Sequence, residues 1–289
     1  MWCDPDATVV RCPPVNVGRM RTEQHLVTGW ERDVDVADTM LRRFVSHLAA
    51  LDAAFTLAGC GRTLEADDVS MADLGRSGGF FNGAVLLRPP FDWDDSLARI
   101  ERFAAGGRGQ FCLWSAWPTP DLHDRGWQLS GHPSLLIRPP LSMSPVRPSS
   151  TSRLDVRRVI SPSDLAAWER TAIGAYPLAG LDDAPTGAFA TAALLDDDRL
   201  RFFIGWDGAH AVAAAVSFAS HGIASFAFGA TTPAARRRGF WQQAAIARLE
   251  ANPDFWFAGV FSDDSRPGAE ALGFVPLLRL TLWIRDRRP

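Results

Sequence analysis

The stretch GATTPAARRRGFWQQAAIARL, Gly229–Leu249, decides how the second half of this chain folds. It reads as the end of a strand, an arginine-rich turn with one glycine, and a helix without a breaker before Pro253. The first backbone N–H groups of a helix have no intrahelical partner, and the macrodipole adds about half a positive charge there. A phosphate at such a turn is held by those N–H groups and by neighbouring guanidinium groups. The layout predicts one defined site for a phosphate-bearing ligand, built on Arg236, Arg237, Arg238, Gly239, Phe240 and Trp241.

Outward from this turn, the second half reads as strand Leu154–Val159 and a helix from Ser161 or Ser163 to about Gly174. The loop YPLAGLDDAPTG follows, then strands Phe202–Trp206 and Ala211–Ala219 around the turn Asp207-Gly208. His221-Gly222 turns the chain into a strand over Ile223–Ala230. After the arginine turn and its helix come strand Phe255–Phe261, a short helix near Pro267–Leu272 and a final strand over Val275–Ile284. The first half reads as a helix from Val34 to Leu57, strand Phe80–Leu87, helix Asp94–Ala105, strand Gly109–Trp114, a short helix from Thr119 to Arg125, and strand Ser134–Arg138. Residues Met1–Arg21 are Pro-rich and unpatterned and read as a loose leader; Pro139–Ser150 reads as a linker. The division expected is a leader over 1–21, a first domain over 22–140, a linker over 141–152 and a second domain over 153–289.

The arginine turn resembles the acyl-CoA-binding segment of the GNAT superfamily of acyltransferases. That family places a strand, a proline and Arg/Gln-x-x-Gly-x-Gly/Ala at the head of a helix; Pro233, Arg236 and Gly239 match. Phe261–Trp283 resembles the strand, short helix and Leu-Gly-Phe turn that close the acyl-CoA site, with Leu272, Gly273 and Phe274 matching. The resemblance covers residues 153–284. The order of elements in the second half is that of the GNAT fold. The pieces FFNGAVLL, LWSAWPTPDL and RGWQLSGHPSLLI resemble the degenerate N-terminal half of two-domain actinobacterial GNAT proteins. The fold class this implies is α/β (α+β): a GNAT-like mixed sheet flanked by helices, in a tandem of two halves. The first half has no R-x-x-G turn and is expected to bind no CoA; covering the active domain and shaping an acceptor pocket is one role for it, and plain structural support is another.

The resemblance implies acetyl-CoA or another acyl-CoA as co-substrate, with its pantetheine arm along Gly229, Ala230, Thr231 and Thr232 and a further contact from Ser262. Two positions depart from the family. Trp241 stands where Gly or Ala is usual: turned sideways, its ring lines the channel, and turned inward, it closes the phosphate site. Ala269 stands where a tyrosine gives a proton to the leaving thiolate, so the acid must be another group. Tyr176, the one tyrosine of the chain, Asp263 and Ser265 are the candidates, and a phenol suits a thiolate better than a carboxyl already ionised at neutral pH. His221 is a candidate base. Tyr176-Pro177 and the carboxylates Asp182 and Asp183 fall where an acceptor-binding loop is expected.

Composition bounds the partners. The 289 residues are 47% hydrophobic and 22% charged, with a formal charge of −3. That gives no basic field for nucleic acid. No apolar run reaches the roughly 18–20 residues that span a bilayer. The N-terminus lacks a signal pattern, and Cys3, Cys12, Cys60 and Cys112 form no paired or metal-binding motif, so a cytoplasmic protein with reduced thiols and no metal is expected. All thirty basic residues are arginine, which excludes lysine Schiff-base chemistry. The function the GNAT resemblance implies is N-acyl transfer, most simply acetyl transfer, from an acyl-CoA to an amine of a small molecule by a monomer or homodimer, with secondary metabolism as a context. The alternatives are a GNAT scaffold turned to decarboxylation, rearrangement or cyclisation, and a non-enzymatic ligand-binding module.

Overall fold

Thr39 sets the start of the first helix: its side chain accepts from the Arg42 N–H at 3.1 Å, and α1 runs Met40–Ala58. The computed structural model describes residues 35, 38–75, 81–146, 153–176, 181 and 184–287. The leader, Pro177, Asp182, Asp183, Cys3 and Cys12 lie outside the described residues. Phe44, Leu51 and Phe55 recur on the buried face of α1. That helix packs on strands of both sheets described below, and Phe55 stacks on Phe81 while meeting Phe228 at 5.8 Å.

The first half continues with β1 (Arg62–Glu65), β2 (Val69–Asp73), β3 (Asn82–Leu86), α2 (Trp93–Ala105), β4 (Gln110–Ser115), β5 (Gln128–Gly131) and β6 (Ser134–Arg138). Strands β1, β2 and β5 are additions to the sequence reading. β1 and β5 are four residues each and largely exposed, so neither carries an apolar alternation. The helix expected from Thr119 shrinks to a single 3₁₀ turn at His123–Arg125, because Pro118 and Pro120 disfavour helical backbone before them.

The second half holds β7 (Asp155–Arg158), α3 (Pro162–Ala175, capped by Ser161), β8 (Leu200–Asp207), β9 (His210–Ser220), β10 (Ile223–Ser225), β11 (Ala227–Thr231), α4 (Phe240–Ala251), β12 (Trp256–Phe261), α5 (Arg266–Glu270), β13 (Val275–Arg279) and β14 (Thr281–Asp286). One sheet has the order β1-β2-β3-β4-β14-β5 and the other β13-β6-β12-β10-β9-β8-β7, with β11 on β9.

The final strand expected over Val275–Ile284 is therefore two strands in two different sheets, broken at buried Leu280. β14 enters the first sheet between β4 and β5, while β6 enters the second between β12 and β13. Sheet membership thus crosses the linear division at 141–152. The start of the expected linker is also packed: the Leu141 N–H donates to the Pro253 carbonyl at 2.9 Å, and Leu141 and Val146 lie against the core of the second sheet. Among the described residues, no helix is long and apolar enough to cross a membrane.

The exchange of strands is clamped by charge. Arg287, just past β14, places Nη1 2.6 Å from Oδ2 of Asp73, and Arg62 reaches the same oxygen at 2.8 Å. Burial alone would raise the Asp73 pKa, but bonds from Arg287, Arg62 and the Gly75 N–H hold it below the ordinary carboxylate value. Arg287→Leu should cost about 2 kcal/mol in urea unfolding, less than a fully orphaned pair because Arg62 remains. An unchanged midpoint would show that the clamp contributes nothing.

Candidate functional site

The site begins where two neighbouring strands part. β10 runs parallel to β12, with Ile223, Ala224 and Ser225 opposite Trp256, Phe257 and Ala258, and the Phe226 N–H still donates to the Ala258 carbonyl at 2.9 Å. Phe228 then turns to φ 45°, and the register against β9 shifts between Ala227 and Ala230. β11 stays with β9 while β12 continues beside β6, so a wedge opens between β11 and β12. The strand expected over Ile223–Ala230 is broken for this reason.

α4 starts at the rim of the wedge. Gly239 caps it at φ 78°, a conformation that suits glycine, and no side chain caps its first turn. Arg237 is also left-handed at φ 64° and is exposed. The other two arginines serve the fold. Arg236 donates to the carbonyls of Thr231 at 3.3 Å and Ala175 at 3.2 Å; Arg238 pairs with Asp207 at 2.6 Å and lies over the Phe240 ring. Two of the three guanidinium groups are therefore engaged within the fold, and no side chain caps the first turn of α4. Phe240 is buried in the core, and Ala230 and Thr231 pair with β9. The Thr232 N–H donates to Val212.

Trp241 turns inward. Its indole N–H donates to the Gly229 carbonyl at 3.1 Å, and its ring lies so close to α5 that a Cβ at Gly268 would sit 3.2 Å from it. The ring therefore bridges α4 and α5 across the wedge. Behind it is a cavity of about 310 Å³. The second half supplies Tyr176, Gly229, Arg248, Ser262 and Ser265 to its wall; the first half supplies His47, Asp52 and Trp114.

Among the expected catalytic residues, Tyr176 and Ser265 line this cavity, as does Ser262, whose hydroxyl lies 3.1 Å from that of Ser265. Burial raises the pKa of the Tyr176 phenol. Asp263 is not in the wall. It is exposed and bonded to Arg279 at 2.7 Å, which holds its pKa below the ordinary value and leaves no proton to give at neutral pH. His221 is also excluded from the wall: it sits at the tip of the β9–β10 turn at φ 51°, exposed, with Nδ1 3.2 Å from the Ser220 hydroxyl. Ala269 is fully buried.

Besides Tyr176, the cavity wall holds three ionisable groups that the sequence reading missed. His47 and Asp52 stand on the same stretch of α1 as Leu48 and Leu51, and Arg248 stands between Ile246 and Leu249 on α4. A charged residue at an apolar helical position is the signal that marks each one. Burial lowers the His47 pKa to about 4, against a bond to the Ser220 carbonyl that raises it. Burial raises Asp52 to about 8 and lowers Arg248 to about 9. At neutral pH the cavity thus holds a neutral imidazole, a protonated carboxyl and one cation.

Gly229 is fixed by this packing. A Cβ there would lie 2.7 Å from Nη2 of Arg248. Gly229→Ala should lower stability by about 1–2 kcal/mol through displacement of the guanidinium, read as a lower thermal midpoint.

No protein-family model matches the chain, and no curated protein matches it. Solved structures do. A functionally unknown conserved protein from Staphylococcus epidermidis ATCC 12228 aligns with a TM-score of 0.57 at 12% identity, over 79% of this chain and 95% of its own. A GCN5-related N-acetyltransferase from Kribbella flavida aligns with a TM-score of 0.55 at 18% identity, over 82% of this chain and 95% of its own. A GCN5-related N-acetyltransferase from Sphaerobacter thermophilus aligns at 0.50 and 12% identity, over 72% of each chain. Coverage of this extent runs through both halves, and at these identities the likeness is one of fold.

Proposed function

We propose that this chain, whose fold is that of the GCN5-related N-acetyltransferases, transfers an acyl group from an acyl-CoA to an amine of a small molecule. The observation that carries the reading is the wedge between β11 and β12, which leads from the uncapped start of α4 into the cavity. Backbone N–H groups at the start of α4 would hold the diphosphate, and the open edge of β11 at Gly229 and Ala230 would pair with the pantetheine arm. The acetyl group is the simplest cargo. The amine would attack the thioester carbonyl, a C–N bond forming as the C–S bond breaks, with strand amides steadying the oxyanion. Tyr176 is the cavity-lining acid suited to protonate the departing thiolate, because a phenol carries its proton at neutral pH. The amine proton would pass to water, since burial holds the His47 imidazole neutral.

Calorimetric titration with acetyl-CoA and CoA, followed by thiol release over a panel of amines, tests this reading. Micromolar binding with amine-dependent release is expected; no binding at millimolar concentration overturns it. In that case the position of Trp241 favours a second reading, a scaffold turned to different chemistry with its wedge occupied by an indole.

A further inference from the structure

Asp52 is a carboxyl in the cavity wall without a partner. Phe44, His47, Leu48, Leu51 and Asp52 all line the cavity, and steps of three and four residues put them on one stripe of α1. Asp52 is half-buried, and among the described residues it makes no hydrogen bond or ion pair. Nε2 of His47 and two nitrogens of Arg248 are sealed from the cavity, whereas the Asp52 oxygens keep accessible surface. Because the stripe faces the cavity, that surface opens into it.

Burial raises the Asp52 pKa to about 8, and no cation of the wall, Arg248 included, opposes that rise. His47 on α1 is neutral, burial pushes the Cys112 thiol of β4 up to about 12, and the Tyr176 phenol is raised, so none of them supplies a counter-charge. An ionised carboxyl in such a place costs stability unless a cation pairs with it. The rest of the wall suits an organic cation. Trp114, Tyr176, Phe228 and Trp241 contribute aromatic rings, whose faces attract ammonium groups and whose area takes up an apolar body. A volume of about 310 Å³ suits a small ligand.

We propose that the cavity binds a small apolar primary amine as its ammonium ion, whose N–H groups donate to the Asp52 carboxylate. On binding, the carboxyl releases its proton to solvent and the ammonium takes its place. Identifying this amine as the acceptor rests on the acyl-transfer reading, in which the first half would supply the acceptor site and the second half the acyl-CoA site. The ammonium site itself does not depend on that reading.

The test uses the full chain without any CoA. Benzylamine and 3-phenylpropylamine are titrated by calorimetry beside benzyl alcohol and 3-phenylpropanol at pH 8. Each amine should bind at least roughly tenfold more tightly than its alcohol, which has the same shape without the charge. Asp52→Asn, which keeps the shape of the side chain and removes its charge, should abolish the preference. Asp52→Ser serves the same purpose if the asparagine variant fails to fold. Equal affinity of amine and alcohol, no binding of either amine up to about 10 mM, or a preference intact in the substituted chain each overturns the proposal. Amine binding by a chain that binds no acyl-CoA would fail the acyl-transfer reading and leave this site standing. Acyl-CoA binding without an amine preference would do the reverse.

Discussion

The Asp52→Asn variant should gain stability over the unsubstituted chain steadily as pH rises from about 5 to about 8. The cause is a proton. Folded Asp52 keeps its proton up to about pH 8, while the unfolded chain releases it near pH 4. A group whose folded pKa is raised supports the fold fully below the unfolded value, and that support is lost as pH climbs towards the folded value. Between the two the folded chain binds one more proton than the unfolded chain, so stability falls by about 1.4 kcal/mol per pH unit, or about 4 kcal/mol over three units. Asparagine does not titrate and removes the slope.

His47 works in the opposite sense. Its pKa is lowered to about 4, so its support is lost as pH falls from about 6.5. In the unsubstituted chain the two slopes cancel between about pH 4 and 6.5, and the fall appears above that. In Asp52→Asn the histidine slope stands alone, with stability rising up to about pH 6.5 and level beyond. Cys112, next to Asp52, does not interfere, because burial pushes its thiol up to about 12. Urea unfolding at half-unit steps from pH 4.5 to 8.5 measures both curves. Parallel curves would mean that Asp52 titrates as an ordinary carboxylate.

Asp52 also marks where the sequence is legible and where it is not. Apolar residues at helical spacing located α1, a serine cap located α3, and the run without a breaker before Pro253 located α4, because all three signals are local. The turn at Asp207-Gly208 and the cap at Gly239 were legible because only a few residue types accept a positive φ. The exchange of β6 and β14 left no local trace. Val275–Ile284 has one continuous apolar pattern, and the break at Leu280 comes from pairing with strands over a hundred residues earlier. The same holds for the cavity. Arg248 and His47 are remote in sequence, and only the packing of α1 on both sheets gives them one wall. Glu169 is a similar case: it reads as one more polar helix residue, yet it is fully buried and accepts the backbone N–H groups of Gly187, Phe189 and Ala190.

Trp241→Ala should tighten CoA binding by at least about tenfold, which is about 1.4 kcal/mol. The indole N–H takes the Gly229 carbonyl, an acceptor on the strand edge where a pantetheine amide would pair, and the ring fills the gap between α4 and α5. A ligand arm entering the wedge must first break that bond and swing the ring aside, and this cost is subtracted from its affinity. Alanine removes the cost, frees the carbonyl and leaves the N–H groups of the first turn in place, while its helix propensity keeps α4 intact where glycine would loosen it. The comparison separates the two readings of the scaffold. If the unsubstituted chain binds CoA weakly and the alanine variant binds it well, Trp241 is a movable gate on an acyl-CoA site. If only the variant binds, the indole is a permanent plug and the cavity serves a ligand that arrives without CoA. If the variant binds more weakly, the ring is a wall that the pantetheine arm packs against, and the wedge is wider than the position of the indole implies. Isothermal titration of both proteins with CoA and acetyl-CoA distinguishes these outcomes, because each predicts a different pair of dissociation constants.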